Sequence, residues 1–182
     1  MHYGRSISRN VSRAVEAARH GRIDAKAPVQ ATATADIHAP ADRVFDALSD
    51  LASWPAFIPE VTRIQLDAGL GPLVPGTRFS WCSGGFPLRS EIQRVERGAE
   101  LTWTGTALWV VAVHRNVVVP TSAEACRLTS AESMAGLGVG WMLRGDVLTD
   151  QLKEFVAAIG REAERRAAAG SGHTARPGQQ GR

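Results

Sequence analysis

The last long amphipathic run of the chain lies between Arg144 and Arg166. Val147, Leu148, Leu152, Phe155, Val156 and Ile159 recur there at spacings of three and four. That spacing lays one apolar stripe along a helix and leaves charge on the other face. Asp146 near its start and Arg161, Arg165 and Arg166 near its end suit the helix dipole. Upstream the period shifts to two. Residues 29–38 alternate as a first strand, and strand-like runs recur at 61–67, 77–82, 88–96, 100–106, 110–119 and 123–134. Gly84-Gly85, Arg97-Gly98 and Pro120-Thr121 supply the turns between them. Strands in series joined by short turns predict an antiparallel sheet, curved so that it can cover the terminal helix.

Between the first two strands, Pro40 opens a helix over 41–48 with Val44, Phe45 and Leu48 on one face. Trp54, Phe57 and Ile58, bounded by Pro55 and Pro59, predict a second short helix or turn. Residues 3–20 carry a thin, alanine-heavy helical stripe of Ile7, Val11, Ala14, Val15 and Ala18, with Gly21 to stop it. Three segments follow: a basic, weakly helical extension over 1–28, a folded domain over 29–166, and a Gly/Ala/Arg/Gln-rich tail over 167–182 expected to be disordered. Gly136, Gly138 and Gly140 predict a flexible joint before the last helix.

Composition narrows the function. The chain has 182 residues and a formal charge of +3. Much of the positive excess lies in residues 1–30, not on the folded body, which argues against a nucleic-acid partner. The two cysteines, Cys82 and Cys126, fit no metal spacing and read as free thiols in a reducing setting. No apolar run approaches the roughly 20 residues that span a bilayer, and no signal-peptide core follows Met1. The expected location is the cytoplasm, without stable membrane insertion. Nothing resembles a glycine-rich nucleotide loop, and no cofactor or metal is expected.

Alternation along the strands picks out the residues facing the helix. They are Phe79 and Trp81; Leu88, Ser90 and Ile92, with Arg94 reaching the rim; Leu101 and Trp103; His114, Asn116 and Val118; and Leu128, Ser130, Glu132 and Met134. Leu148, Leu152 and Phe155 face them from the helix. Arg89, Glu91, Gln93 and Val95 form the opposite, solvated row of their strand. His114 and Glu132 are the candidate chemistry: on neighbouring strands they would meet, and a carboxylate beside an imidazole can orient it for proton transfer. Arg115 should face away from His114.

Three stretches resemble the START-like helix-grip superfamily (also written SRPBCC or Bet v 1-like), in its bacterial polyketide cyclase/dehydratase-like branch. Ala35 to Leu48 is similar to the family's strand, proline turn and amphipathic helix. Asp50 to Val61 is similar to its D-x-x-x-W-x-x-F-x-P-x-V run, at Asp50, Trp54, Phe57, Pro59 and Val61. Pro75 to Phe79, PGTRF, then leads into the strand series. The last strand keeps Glu132 and Gly136 of the family's closing pattern, although Ser122 to Ala125 replaces its Gly-Thr turn.

The resemblance implies an α+β helix-grip fold. A seven-stranded curved antiparallel sheet would wrap a long C-terminal helix, with two short helices after strand 1. It also implies an apolar cavity between sheet and helix. The leading expectation is a binding domain for a hydrophobic or aromatic small molecule such as a lipid, polyketide or isoprenoid, walled by the residues above. The alternatives are a cyclase or dehydratase acting through His114 and Glu132, and a non-catalytic module for a protein partner or stress response. A homodimer stays among the partners considered.

Overall fold

The computed structural model describes residues 2–67, 69, 71–142 and 144–171. The strands are β1 (Val29–Ile37), β2 (Val61–Leu66), β3 (Arg78–Ser83), β4 (Phe86–Glu96), β5 (Glu100–Ala107), β6 (Val110–Pro120) and β7 (Cys126–Ala135). They form one seven-stranded sheet in the order β1-β7-β6-β5-β4-β3-β2, and each neighbouring pair is antiparallel. The helices are α1 (His2–Arg19), α2 (Ala41–Ser49), α3 (Val139–Met142) and α4 (Gly145–Ser171). A 3-10 turn over Leu51–Ala56 follows α2 and contains Pro55.

β1 shows why the sheet has an inner face. Val29, Ala31 and Ala33 are buried while Gln30, Thr32 and Thr34 between them are exposed. On α4, Leu148, Leu152, Phe155, Val156 and Ile159 are buried against this layer, with Val44, Phe45 and Leu48 of α2 in the same core. Val147 belongs to the apolar stripe by spacing but is exposed. It lies a quarter-turn round the helix from Leu148, off the contact line. α4 approaches β1 closely at Gly160, where an added Cβ would lie 3.2 Å from Ile37 Cγ1. It continues past Arg166 to Ser171. Arg166 ties it to the start of the 3-10 turn through Asp50 at 2.9 Å. Where a glycine joint was expected after β7, the backbone closes the short helix α3. Residues 172–182, most of the tail expected to be disordered, lie outside the described residues.

One irregularity changes which side chains face the core. The β4–β5 register shifts between Ile92 and Arg94, so that Arg94 pairs with Thr102 and Val95 with Leu101. A bulge inserts one residue and inverts the alternation beyond it. Val95 is therefore packed against the inner core, not set in a solvated row. Arg94 does not reach the inner rim: it turns to the outer face, pairing with Glu96 and lying 3.5 Å from Glu100.

The outer face is not bare. α1 crosses it, and Ala14, Ala18 and Ala27 form a second small core with Val111, Val113 and Ala135. Small side chains let the helix approach the sheet, which accounts for its thin stripe. Gly21 ends α1 in the left-handed region at φ 62°, and an added Cβ would meet Glu100 Oε1 at 2.8 Å. Glu100 is buried there and held by Arg115 at 3.0 Å. Gln93 is likewise buried on this face, bonded to Thr104 and Arg19.

Candidate functional site

Register brings the inner-face residues into rows across the sheet. One row runs Ile92, Trp103, His114, Glu132 and Ala31; the next runs Leu101, Asn116, Ser130 and Ala33. Phe79 stands opposite Ser90 and Trp81 opposite Leu88. Val118 stands opposite Leu128, and Ala112 opposite Met134.

Rings fill the middle of this layer. Trp103 lies 4.4 Å from the His114 ring and Phe155 of α4 lies 5.1 Å from it. Trp54, from the 3-10 turn, packs against Trp81, Trp103 and Phe155 at 5.5–5.9 Å. Phe79 stands 6.3 Å from Trp81 and 6.4 Å from Trp103. These separations and tilts are the offset and edge-on geometries that aromatic pairs favour.

His114 and Glu132 are both buried inside this shell. His114 Nε2 is 2.8 Å from Ser130 Oγ, and Nδ1 is 3.7 Å from Glu132 Oε2. The second distance is too long for a hydrogen bond. Burial penalises charge on both groups. It pushes the Glu132 carboxyl up to about 8 and the His114 imidazole down to about 3. At neutral pH the pair is therefore a carboxylic acid beside a neutral imidazole, not an ion pair. Arg115 faces the other way, bonded to Glu100.

Two further polar atoms in the layer are buried with no hydrogen-bond partner among the described residues: Trp54 Nε1 and Asn116 Oδ1. Asn116 Nδ2 donates to the Leu101 carbonyl. Trp81 Nε1, by contrast, donates to Ser90 Oγ at 3.0 Å. A buried polar group left unpaired costs free energy, so each such atom calls for an explanation. The sequence placed Trp54 in a family motif without marking it as a site residue. Its position in a proline-bounded turn before β2 was the available signal.

Burial is uneven along the layer. Leu101, Asn116, Val118 and Leu128, toward the β4–β5 turn, are buried, whereas Trp81, Leu88 and Met134, toward the β3–β4 and β5–β6 turns, are half-buried. A separate cleft of about 310 Å3 opens at the β4–β5 end, between α2, the 3-10 turn and the loop after β2. Phe45, Leu51, Leu66, Leu73 and Val95 wall it, with Asp50 and Arg97 at its margin. None of the wall residues read from the strands lines this cleft. The loop and bulge that build it carry no periodicity to read.

Among the described residues no group of three or more His, Cys, Asp or Glu could hold a metal ion, and no helix is long and apolar enough to cross a membrane. Cys82 and Cys126 are free.

A seven-stranded antiparallel sheet packed on a long terminal helix, with two short helical segments after the first strand, defines a protein of the START-like helix-grip superfamily. The chain belongs to the family described as polyketide cyclase / dehydrase and lipid transport, which matches residues 28–168. A hypothetical protein from Helicobacter pylori has a similar structure, with a TM-score of 0.69 and 16% identity over 76% of this chain and 90% of its own. The Zhui aromatase/cyclase from Streptomyces sp. R1128 gives 0.61 and 19%, over 78% of this chain and 97% of its own. Norcoclaurine synthase from Thalictrum flavum, solved with dopamine and hydroxybenzaldehyde, gives 0.59 and 17%, over 75% of this chain and 86% of its own. At these identities the likeness is one of fold. No curated protein matches the sequence.

Proposed function

We propose that the protein binds a hydrophobic, ring-bearing small molecule between the sheet and α4, oriented by the few polar groups of that layer. The observation that carries this reading is the pair of unsatisfied buried atoms, Trp54 Nε1 and Asn116 Oδ1, within an otherwise aromatic and aliphatic interior. One offers a donor and the other an acceptor. Apolar walls supply affinity and a small number of placed polar groups supply orientation. A ligand carrying both a carbonyl and a hydroxyl on a fused ring would satisfy them, the carbonyl accepting from Trp54 Nε1 and the hydroxyl donating to Asn116 Oδ1. It would enter where Trp81, Leu88 and Met134 are half-buried, with the Trp54 and Phe155 rings shifting to admit it. The names of the structural relatives, an aromatase/cyclase and a synthase of aromatic substrates, support the ligand class. Two free thiols, with Cys126 buried, support a reducing, cytoplasmic setting.

Titration with 1-tetralone, a fused-ring ketone, tests the reading. Trp54→Phe keeps the ring and removes the donor. It should weaken binding by roughly tenfold, the order of one buried hydrogen bond. Equal affinity in the wild type and the variant would refute the role given to Trp54.

A catalytic reading has its own support in the two neutral groups His114 and Glu132. Glu132 would give its proton to a ligand carbonyl oxygen while His114 takes one from the adjacent carbon, leaving an enol with a carboxylate and an imidazolium. Binding leads because His114 Nε2 is already engaged by Ser130 Oγ. Deuterium exchange at the carbon next to the tetralone carbonyl would establish the catalytic reading if Glu132→Gln abolished it. Exchange no faster than in buffer would remove it.

A further inference from the structure

At the end of the sheet where the inner layer is least buried, large apolar side chains point into solvent. Trp141 is 96% exposed, Leu108 83%, Phe86 66% and Leu137 63%, with Trp109 and Val147 also exposed. They sit on the β3–β4 hairpin, the β5–β6 turn, the β7–α3 connection, α3 and the first turn of α4. The sheet order makes the two hairpins neighbours, and Trp109 Nε1 donates to the Leu137 carbonyl at 2.9 Å. The tips thus gather at the end of the sheet where Trp81, Leu88 and Met134 are half-buried. Scattered apolar side chains on a surface need no explanation, but several large ones collected at one end do.

The tightest turn adds an independent observation. Only Leu108 and Trp109 connect β5 to β6, and Leu108 has φ 53°, the only non-glycine with positive φ among the described residues. Two-residue hairpins place a left-handed residue at this position, and Gly, Asn or Asp fills it without strain. Here a leucine bears both backbone strain and exposure to water. Strain of this kind persists at sites where a contact uses the side chain.

Charge selects the occupant. α1 carries basic residues with no acid in its first turn. It ends beside Glu100 at the far end of the sheet, while Val11, earlier on the helix, packs against the outer-face core of Ala14, Ala18, Ala27, Val111, Val113 and Ala135. At about 1.5 Å per residue, positions 2–10 extend roughly 13 Å further away from Glu100. This segment holds Arg5 and Arg9. Arg89 is exposed beside the tips, while Arg144, also exposed there, is paired with Asp146 at 2.9 Å. Projecting aromatic and aliphatic tips with cations around them match a bilayer surface, where tryptophan favours the interfacial zone and arginine meets anionic headgroups.

We propose that this end of the molecule docks peripherally on an anionic lipid surface, Leu108 and Trp141 entering the interface and α1 contributing charge. The proposal rests on the tips and α1, so it stands or falls apart from whatever the interior binds.

Co-sedimentation of the full chain with phosphatidylcholine–phosphatidylserine vesicles, and with phosphatidylcholine alone, tests it. The wild type should partition onto both, more strongly onto the anionic vesicles, with the excess lost at high salt. Leu108→Asn combined with Trp141→Ser should cut partitioning by about tenfold or more. Asn is at home in the left-handed turn, so the variant should melt no lower than the wild type. Absence of wild-type partitioning would overturn the proposal, as would unchanged partitioning of the variant. A wild-type dimer that this variant splits, by sedimentation equilibrium, would also overturn it by assigning the patch to a second copy.

Discussion

Replacing Glu132 with Gln isolates the electrostatic character of the interior. The Glu132 carboxyl titrates at about 8 in the folded protein against an ordinary 4.5, because burial disfavours its charge. A carboxyl with a raised folded value contributes stability that is fully present below 4.5 and is lost as pH rises toward 8. His114 is the mirror case. Its value falls from 6.5 to about 3, again through burial, so its contribution is full above 6.5 and is lost as pH falls toward 3. Between pH 4.5 and 6.5 the two slopes oppose and nearly cancel. Above 6.5 only Glu132 acts. The remaining rise to about 8 spans roughly 1.5 pH units, worth about 2 kcal/mol at ~1.36 kcal/mol per unit. Glu132→Gln keeps the volume and hydrogen-bonding capacity but cannot ionise. Urea unfolding from pH 5 to pH 9 should therefore show the wild type losing about 2 kcal/mol relative to the variant between pH 6.5 and 8. Taking the difference between the two proteins removes the titration of other groups. A difference that stays flat across that window would refute the neutral, buried carboxyl.

Two further outcomes follow from packing. Gly160→Val places side-chain atoms into Ile37, whose Cγ1 already lies 3.2 Å from an added Cβ, and should cost about 2 kcal/mol in urea unfolding. Gly160→Ala should be near neutral, its helix propensity offsetting the tight contact. Deleting residues 1–28 uncovers Val111, Val113 and Ala135 and should lower stability by about 2 kcal/mol or more. An unchanged melting temperature would return α1 to the status of a loose extension.

Much of the fold is legible because period and spacing are strong where burial is one-sided. Leu101 and Trp103 alternate with Thr102 and Thr104, and α4 carries its stripe at helical intervals, so sheet and helix can be read directly. The facing of His114 and Glu132 follows once their two strands are taken as neighbours, since turn position and alternation then fix the pairing. The β4 bulge is different. It moves Arg94 outward and Val95 inward without any glycine or proline to announce it. The packing of α1 on the outer face was hidden by its small residues: Ala14 and Ala18 give a weak apolar signal because they permit a close approach. The exposed tips at Phe86, Leu108 and Trp141 lie at the end of a strand, in a turn and in a short helix, where periodicity carries little information. The unpaired Trp54 Nε1 depends on three-dimensional neighbours that no linear pattern encodes.

Ligand placement in the interior is tested most directly by NMR of the indole N–H groups and methyls during titration with 1-tetralone. Binding between sheet and α4 predicts a downfield shift of the Trp54 Nε1 proton and contacts from ligand protons to Phe155 and Trp103. Shifts confined to Leu66, Leu73 and Val95 would place the ligand in the cleft at the opposite end and contradict it.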